Sequence, residues 1–309
     1  MNRWFRSIIM SIAVLLTCCF LTPPAHSSPN SSDQTLAGEL FKVGIENMQR
    51  GHYQEAIQDF TQTIQHWRDL APAYSNRCLA YLQIQDYHNA IADCDQAINF
   101  SPKNAEVYLN RGVARYRQGD YESAIADYNL AVALKPHDFR AYYNRGVASA
   151  MLGNYQKAIG DYNLALSQIT QTPSYLLADI YNDRGLARFE LQDVQAAMLD
   201  FSLAIRLNPK DYRAHFNRGC ACGKHGDNFG AVRNFSEVIQ LNPSNGQAYV
   251  NRGIAYHQLG YEQAAIADLQ KAVQYFGHQG QKLAYKKTVD LMKIVQQQIA
   301  SEWEIAFAF

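Results

Sequence analysis

Ala105–Asp138 reads AEVYLNRGVARYRQGDYESAIADYNLAVALKPHD, and the same letters return when the sequence is shifted by 34 residues. A fixed period of this length marks a chain built from stacked copies of one supersecondary unit. Copies start at Ala37, Ala71, Ala105 and Phe139, then at Ala178, Tyr212 and Gly246. The spacing is 34 throughout except for one step of 39, so a five-residue insertion interrupts a seven-copy array. The copies span 37–70, 71–104, 105–138, 139–177, 178–211, 212–245 and 246–279, and 280–309 continues as one more helical pattern that reads as a cap.

Each copy holds two amphipathic helices. In the third, Val107, Tyr108, Gly112 and Arg115/Tyr116 recur at helical spacing, Gly119 follows as the stop, and Asp120 offers an acceptor to the next helix. Tyr121, Ala124, Ile125, Tyr128 and Ala131 restart the period until Pro136 ends it. Asn104, Asp138, Asp211 and Asn245 stand where they cap first helices, and Pro72 occupies a first turn.

The totals are those of an ordinary folded chain: 309 residues, 48% hydrophobic and 18% charged, with 28 basic against 28 acidic side chains. That balance gives no electrostatic reason to expect nucleic acid or an anionic membrane as partner. At the start, Arg3 and Arg6 precede an apolar run from Ser7 to Leu21, followed by prolines and Ala25-His26-Ser27. This order matches a secretory signal peptide over 1–27, cleaved near Ser27, and the run is short for a membrane span. Residues 28–36, with PNSSDQT from Pro29 to Thr35, read as a flexible linker.

The repeat resembles the tetratricopeptide repeat (TPR), a 34-residue helix-turn-helix with an aromatic, Gly, Ala and Pro at fixed places. Tyr74, Tyr108, Tyr142, Tyr181 and Tyr249 hold the aromatic place, with His215 in the sixth copy. Gly44, Gly112, Gly146, Gly185, Gly219 and Gly253 hold the Gly place, with Cys78 in the second copy. Ala56, Ala90, Ala124, Ala158, Ala197, Ala231 and Ala265 keep the small residue unbroken. The resemblance implies an all-α, right-handed α-α superhelix, a solenoid with a C-terminal capping helix, whose first helices form a concave binding wall. Exported chains of this style look bacterial, of the cyanobacterial kind, with periplasm or thylakoid lumen as destination.

Three sets of residues stand out against that frame. The sixth place of the copy holds Asn76, Asn110, Asn144, Asp183, Asn217 and Asn251, and in the family this place faces the groove. An amide there both donates and accepts, which suits the backbone of an extended peptide; the ladder resembles that of O-linked N-acetylglucosamine transferase. Bonding to the neighbouring copy is its structural alternative. Around it, Phe41, Leu109, Tyr143 and Phe216 at the fifth place are expected to give the groove apolar character.

The second set is charged. Arg77, Arg111, Arg145, Arg184, Arg218 and Arg252 fill the seventh place, and Asp59, Asp93, Asp127, Asp161, Asp200 and Asp268 the twenty-third, with Asn234 in the sixth copy. Arginine at a packing position requires a counter-charge. The first copy has Asp59 but Val43 in place of the ladder arginine, and beyond the last copy the matching place holds Lys286, so pairing each acid with the next copy leaves only Asn234 uncharged. The expectation is a series of inter-repeat bridges from Asp59–Arg77 to Asp268–Lys286.

The third set is Cys78 and Cys94, on helices that pack together in one copy, where an exported chain can form a disulfide or fill a core with two thiols. Cys220 and Cys222 match no redox or zinc pattern. Phosphate-cradling glycine loops, Gly-x-Ser-x-Gly elbows and His-Glu-x-x-His are lacking, which points to no catalysis, no cofactor and no metal. The two-carboxylate clamp of chaperone-binding relatives needs Lys and Asn where this chain has Ser75, Leu79, Leu109 and Val113. The expected function is a scaffold, an assembly factor or adaptor, that holds a protein or peptide segment; self-association, or service as a regulatory subunit, is the alternative. The insertion in SQITQTPSYLLAD is a passive loop, an extended helix or a hinge.

Overall fold

The computed structural model describes residues 31–169 and 174–306. Among these residues every regular element is a helix. The signal-peptide reading of 1–27 and the end of the tail, 307–309, lie outside them. The first eight helices are α1 (Ser31–Arg50), α2 (Tyr53–His66), α3 (Ala71–Gln83), α4 (Tyr87–Phe100), α5 (Ala105–Gln118), α6 (Tyr121–Leu134), α7 (Phe139–Met151) and α8 (Tyr155–Gln168). Seven more follow: α9 (Ser174–Glu190), α10 (Val194–Leu207), α11 (Tyr212–His225), α12 (Asn228–Leu241), α13 (Gly246–Gln258), α14 (Glu262–His278) and α15 (Lys282–Ala306). Two compact units divide the chain at the insertion, one holding α1–α8 and the other α9–α15. Within each, every first helix packs on its second and every second helix on the next first, the layout of an α-α solenoid.

The copy boundaries arise from local chemistry. Asn104 caps α5 by accepting from the Glu106 N–H at 3.2 Å, and Gly119 ends that helix in the left-handed region at φ 87°. Asp120 then caps α6 through the Ser123 N–H at 3.1 Å. In the second and fifth copies no glycine is present at the stop, and Gln85 and Gln192 take positive φ instead, 64° and 67°.

Between the two helices of a copy, the eighth and twenty-fourth places fix the approach. A Cβ on Gly112 would lie 2.5 Å from the Tyr128 ring, and Gly44, Gly146, Gly185 and Gly219 stand as close to Phe60, Tyr162, Phe201 and Phe235. Glycine is needed there because the aromatic ring occupies the space. In the second copy both places are cysteine, and Cys78 and Cys94 are joined as a disulfide with their Cα atoms 5.5 Å apart. A covalent bond thus replaces the ring-on-glycine contact.

One expectation is corrected here. The linker over 28–36 is helical from Ser31 onward, because α1 extends past the copy start with Asp33 in its first turn, where a carboxylate favours the helix dipole. Of the readings open for the insertion, the described part takes the extended-helix one: α9 begins at Ser174, ahead of the copy start at Ala178. At the C-terminus α15 packs on α14 as a cap, burying Ala284 and Val295 against Leu269 and Phe276.

Candidate functional site: the first-helix groove and the ladders behind it

The charged ladder pairs within each copy, not between copies. Arg77 Nε and Nη2 fork onto Asp93 at 2.6 and 2.7 Å. Arg111 does the same to Asp127, Arg145 to Asp161, Arg184 to Asp200 and Arg252 to Asp268, each with an Nη2 bond of 2.6–2.8 Å. The reason is the glycine contact: bringing places eight and twenty-four together sets places seven and twenty-three face to face. Asp59, whose copy has Val43 at the seventh place, accepts from Asn47 Nδ2 at 2.7 Å, and Lys286 is exposed. The inter-repeat scheme from Asp59–Arg77 to Asp268–Lys286 is therefore overturned.

A different bond joins neighbouring copies. The remaining guanidinium nitrogen, Nη1, reaches back sixteen residues to the twenty-fifth place of the preceding copy: Arg77 to Thr61 Oγ1, Arg111 to Asp95 Oδ1, Arg145 to Asn129 Oδ1 and Arg252 to Ser236 Oγ, at 2.6–3.0 Å. Each arginine also lies over the tyrosine at the fourth place of its copy, with Arg111 5.6 Å from the Tyr108 ring centroid. One side chain thereby clasps three helices. Burial raises the pKa of Asp93, while the Arg77 fork opposes that shift.

The sixth copy departs from this pattern. Asn234 donates to Gly230 O at 2.7 Å, and Arg218 Nε is buried without a hydrogen-bond partner. His215 replaces the tyrosine, and its Nε2 lies 3.0 Å from Pro209 O, the carbonyl that matches the Pro102 O bonded by Tyr108 Oη.

A second inter-repeat device has no counterpart in the sequence-based expectations. Glu106 and Arg140 occupy the second place of adjacent copies, 34 residues apart, and meet at 2.6 Å with both side chains buried. Asp179 and Arg213 repeat the arrangement in the other unit, also at 2.6 Å. Asp138 and Asp211 hold the same arginines from the cap positions. Opposite charges one period apart were the available signal.

The asparagine ladder is mostly inside. Asn76, Asn110, Asn144 and Asn217 are at most 8% exposed, and Asp183 is half-buried. Asn76 Nδ2 donates to Pro72 O in its own helix, and Asn217 Nδ2 donates to Asn182 Oδ1 of the preceding copy at 2.9 Å. Asn144 Nδ2 is buried without a partner. The apolar set is also spent on packing: Phe41, Leu109, Tyr143 and Phe216 are at most 3% exposed. Phe41 meets Phe60, Tyr143 meets Tyr162 and Phe216 meets Phe235, with centroids 5.6–6.0 Å apart. The expected projection of Phe41, Leu109 and Tyr143 into an open groove is corrected accordingly, since the fifth place fills the space between the two helices of a copy; Phe216 packs in the same way and also borders the groove described next.

An open groove does run along the first helices of the C-terminal unit, about 1510 Å³ in volume. Its wall comes from Phe189 of α9, Phe216, Cys220 and Lys224 of α11, Val250, Asn251 and Ile254 of α13, and Lys282 and Lys287 of α15. Of the asparagine ladder, Asn251 reaches it; Gln247 Nε2 orients its Oδ1 at 2.9 Å, and its Nδ2 lies 3.6 Å from Cys220 Sγ. Burial raises the pKa of the Cys220 thiol to about 12 and pushes that of Cys222 up, which disfavours the thiolate form a nucleophile needs. Among the described residues no group of three metal-ligating side chains converges, and no helix is long and apolar enough to cross a membrane.

Family models described as tetratricopeptide repeat match residues 109–175, 178–211 and 246–276, and one described as TPR repeat matches 79–119. No curated protein matches the chain. Among solved structures, a tetratricopeptide repeat protein from Parabacteroides merdae is similar with 18% identity and a TM-score of 0.62, over 82% of this chain and 99% of that one. YrrB, described as a TPR protein with an unusual peptide-binding site, gives 24% identity and a TM-score of 0.52, over 63% of this chain and 97% of its own. MamA from Desulfovibrio magneticus gives 21% identity and a TM-score of 0.52, over 57% and 96%. At these identities the likeness is one of fold.

Proposed function

Because the chain belongs to the tetratricopeptide repeat family, whose members are in general non-catalytic protein-interaction scaffolds, we propose that it holds a segment of a partner protein in the first-helix groove of its C-terminal unit, as an assembly factor or adaptor without chemistry of its own. The observation that carries this is the groove itself: a concave wall of about 1510 Å³ with an apolar floor at Phe216 and Val250, a half-buried amide at Asn251 and a 40% exposed Ile254. Concave, largely apolar surfaces with a few placed polar groups are where partners are bound. The likeness in fold to YrrB, a TPR protein described as having an unusual peptide-binding site, supports the same reading.

The protein works outside the cytoplasm in this proposal. Support comes from the leader-like order of residues 1–27 and from the Cys78–Cys94 disulfide, since such bonds persist in oxidising compartments.

A photo-crosslinking amino acid placed at Ile254 tests the groove, with one at Leu199, an exposed residue of α10, as comparison. Discrete adducts from position 254 and none from 199 are expected. Adducts from 199 alone would move the working surface to the second helices. Alkaline phosphatase fused after Ser27 is expected to become active in a bacterial host, and an inactive fusion would overturn the export part.

A further inference from the structure

We propose that the groove of the C-terminal unit selects protein segments that combine acidic with apolar side chains; this rests on the groove being the partner site. Lys224, Lys282 and Lys287 line it, and no aspartate or glutamate does. All three lysines are exposed, and none forms an ion pair among the described residues. Lys224 Nζ instead sits 4.8 Å from the centroid of the Phe189 ring, a weaker partner than a carboxylate for a solvated ammonium.

The imbalance is local. The whole chain carries equal numbers of basic and acidic side chains, 28 of each, and the ladder arginines with an aspartate at the twenty-third place of their copy are forked onto it. The lysines in the groove have no such neutralising neighbour. A cleft lined by one sign of charge above an apolar floor focuses its field and raises the local concentration of the opposite charge. Phe216, Val250 and Ile254 supply that floor, and Asn251 offers a polar handle among them. Nucleic acid is the less favoured ligand of the same charge, because the groove has no arginine to fork onto phosphates and offers one exposed ring, Tyr212, where a single strand needs a succession of them.

The test uses the full chain and fluorescein-labelled nonapeptides of alternating Leu and Glu, Leu and Gln, or Leu and Lys, read by anisotropy. The Glu peptide is expected to bind roughly tenfold tighter than the Gln peptide at low salt, with the gap closing at about 1 M salt. It should also close in the Lys224→Gln/Lys282→Gln/Lys287→Gln variant, whose changes lie on exposed side chains. Ile254→Glu should weaken both peptides. Equal binding of the Glu and Gln peptides, each lost in Ile254→Glu, would overturn charge selection and leave the groove as partner site. No binding by any peptide, or binding untouched by Ile254→Glu, would overturn both readings. Tighter binding of a twelve-base oligothymidylate than of the Glu peptide would assign the lysines to phosphate and overturn the proposal.

Discussion

Arg218 and Asn234 stand sixteen residues apart, at the spacing that joins arginine to aspartate in five other copies, and no fork forms between them: Arg218 Nε is buried without a partner. A half-satisfied cation in this position costs stability, because desolvation is incurred without the charge-assisted bonds that offset it. Asn234→Asp supplies the carboxylate. The variant is expected to gain about 1–3 kcal/mol in the C-terminal unit, as hydrogen bonds to charged groups do. Urea denaturation of the full chain checks this, and the gain should vanish in the presence of Arg218→Ala.

The reverse experiment concerns Asp127, which is 1% exposed and accepts from both Arg111 and Arg115. Asp127→Ala removes the carboxylate that Arg115 bonds and leaves Arg111 with Asp95 alone, so a loss of about 3–5 kcal/mol is expected in the N-terminal unit. Native-state hydrogen exchange should show faster opening in α5 and α6 than in the C-terminal unit. A loss under about 1 kcal/mol, typical of an exposed pair, would mean the fork is solvent-screened.

Reducing the Cys78–Cys94 bond, which closes a loop of 16 residues, should destabilise the second copy by about 3 kcal/mol. Cys78→Gly/Cys94→Tyr restores the pair used by the third copy. That double variant is expected to recover more stability than Cys78→Ser/Cys94→Ser, with thermal melts under reducing conditions as the measurement.

Gln85 and Gln192 hold positive φ where other copies have glycine. A side chain in this region costs about 1 kcal/mol relative to glycine. Gln192→Gly should therefore stabilise by roughly that amount, whereas Gly119→Gln, at φ 87°, should do the opposite. Chemical denaturation of each single variant reads the sign.

How far the sequence could be read depended on whether the information lay in the period or in the packing. Helix starts and stops were legible because Asn104, Asp120, Gly119 and Pro136 act on their own neighbours. The pairing of the charged ladder was not, since an arginine lies sixteen residues before one aspartate and eighteen after another, and both reaches are feasible for a long side chain. Counting the ends favoured the wrong partner because an amide, Asn47, satisfies Asp59 as well as a cation would. The asparagine ladder was misplaced for a related reason. The sixth place lies where successive first helices approach, so Asn217 meets Asn182 and is buried. How tightly neighbouring copies close sets that depth, and a single copy does not encode it. Even so, Asn251 and Phe216 in the groove are members of the sets singled out by position alone.

The arginine clasp also bears on how such a chain can change in length. Arg145 reaches back to place twenty-five of the third copy, Asn129, and Arg111 reaches back to the same place in the second, Asp95. Excising Ala105–Asp138 as a block would set Arg145 against Asp95, again an acceptor, while its own fork to Asp161 would be untouched. A deletion of any other length would misalign both. The second-place ion pair is stricter: the same excision would remove Glu106 and Asp138 and leave buried Arg140 opposite Pro72 and Asn104, so the clasp permits loss of whole copies while the second-place pairs restrict which copies can go.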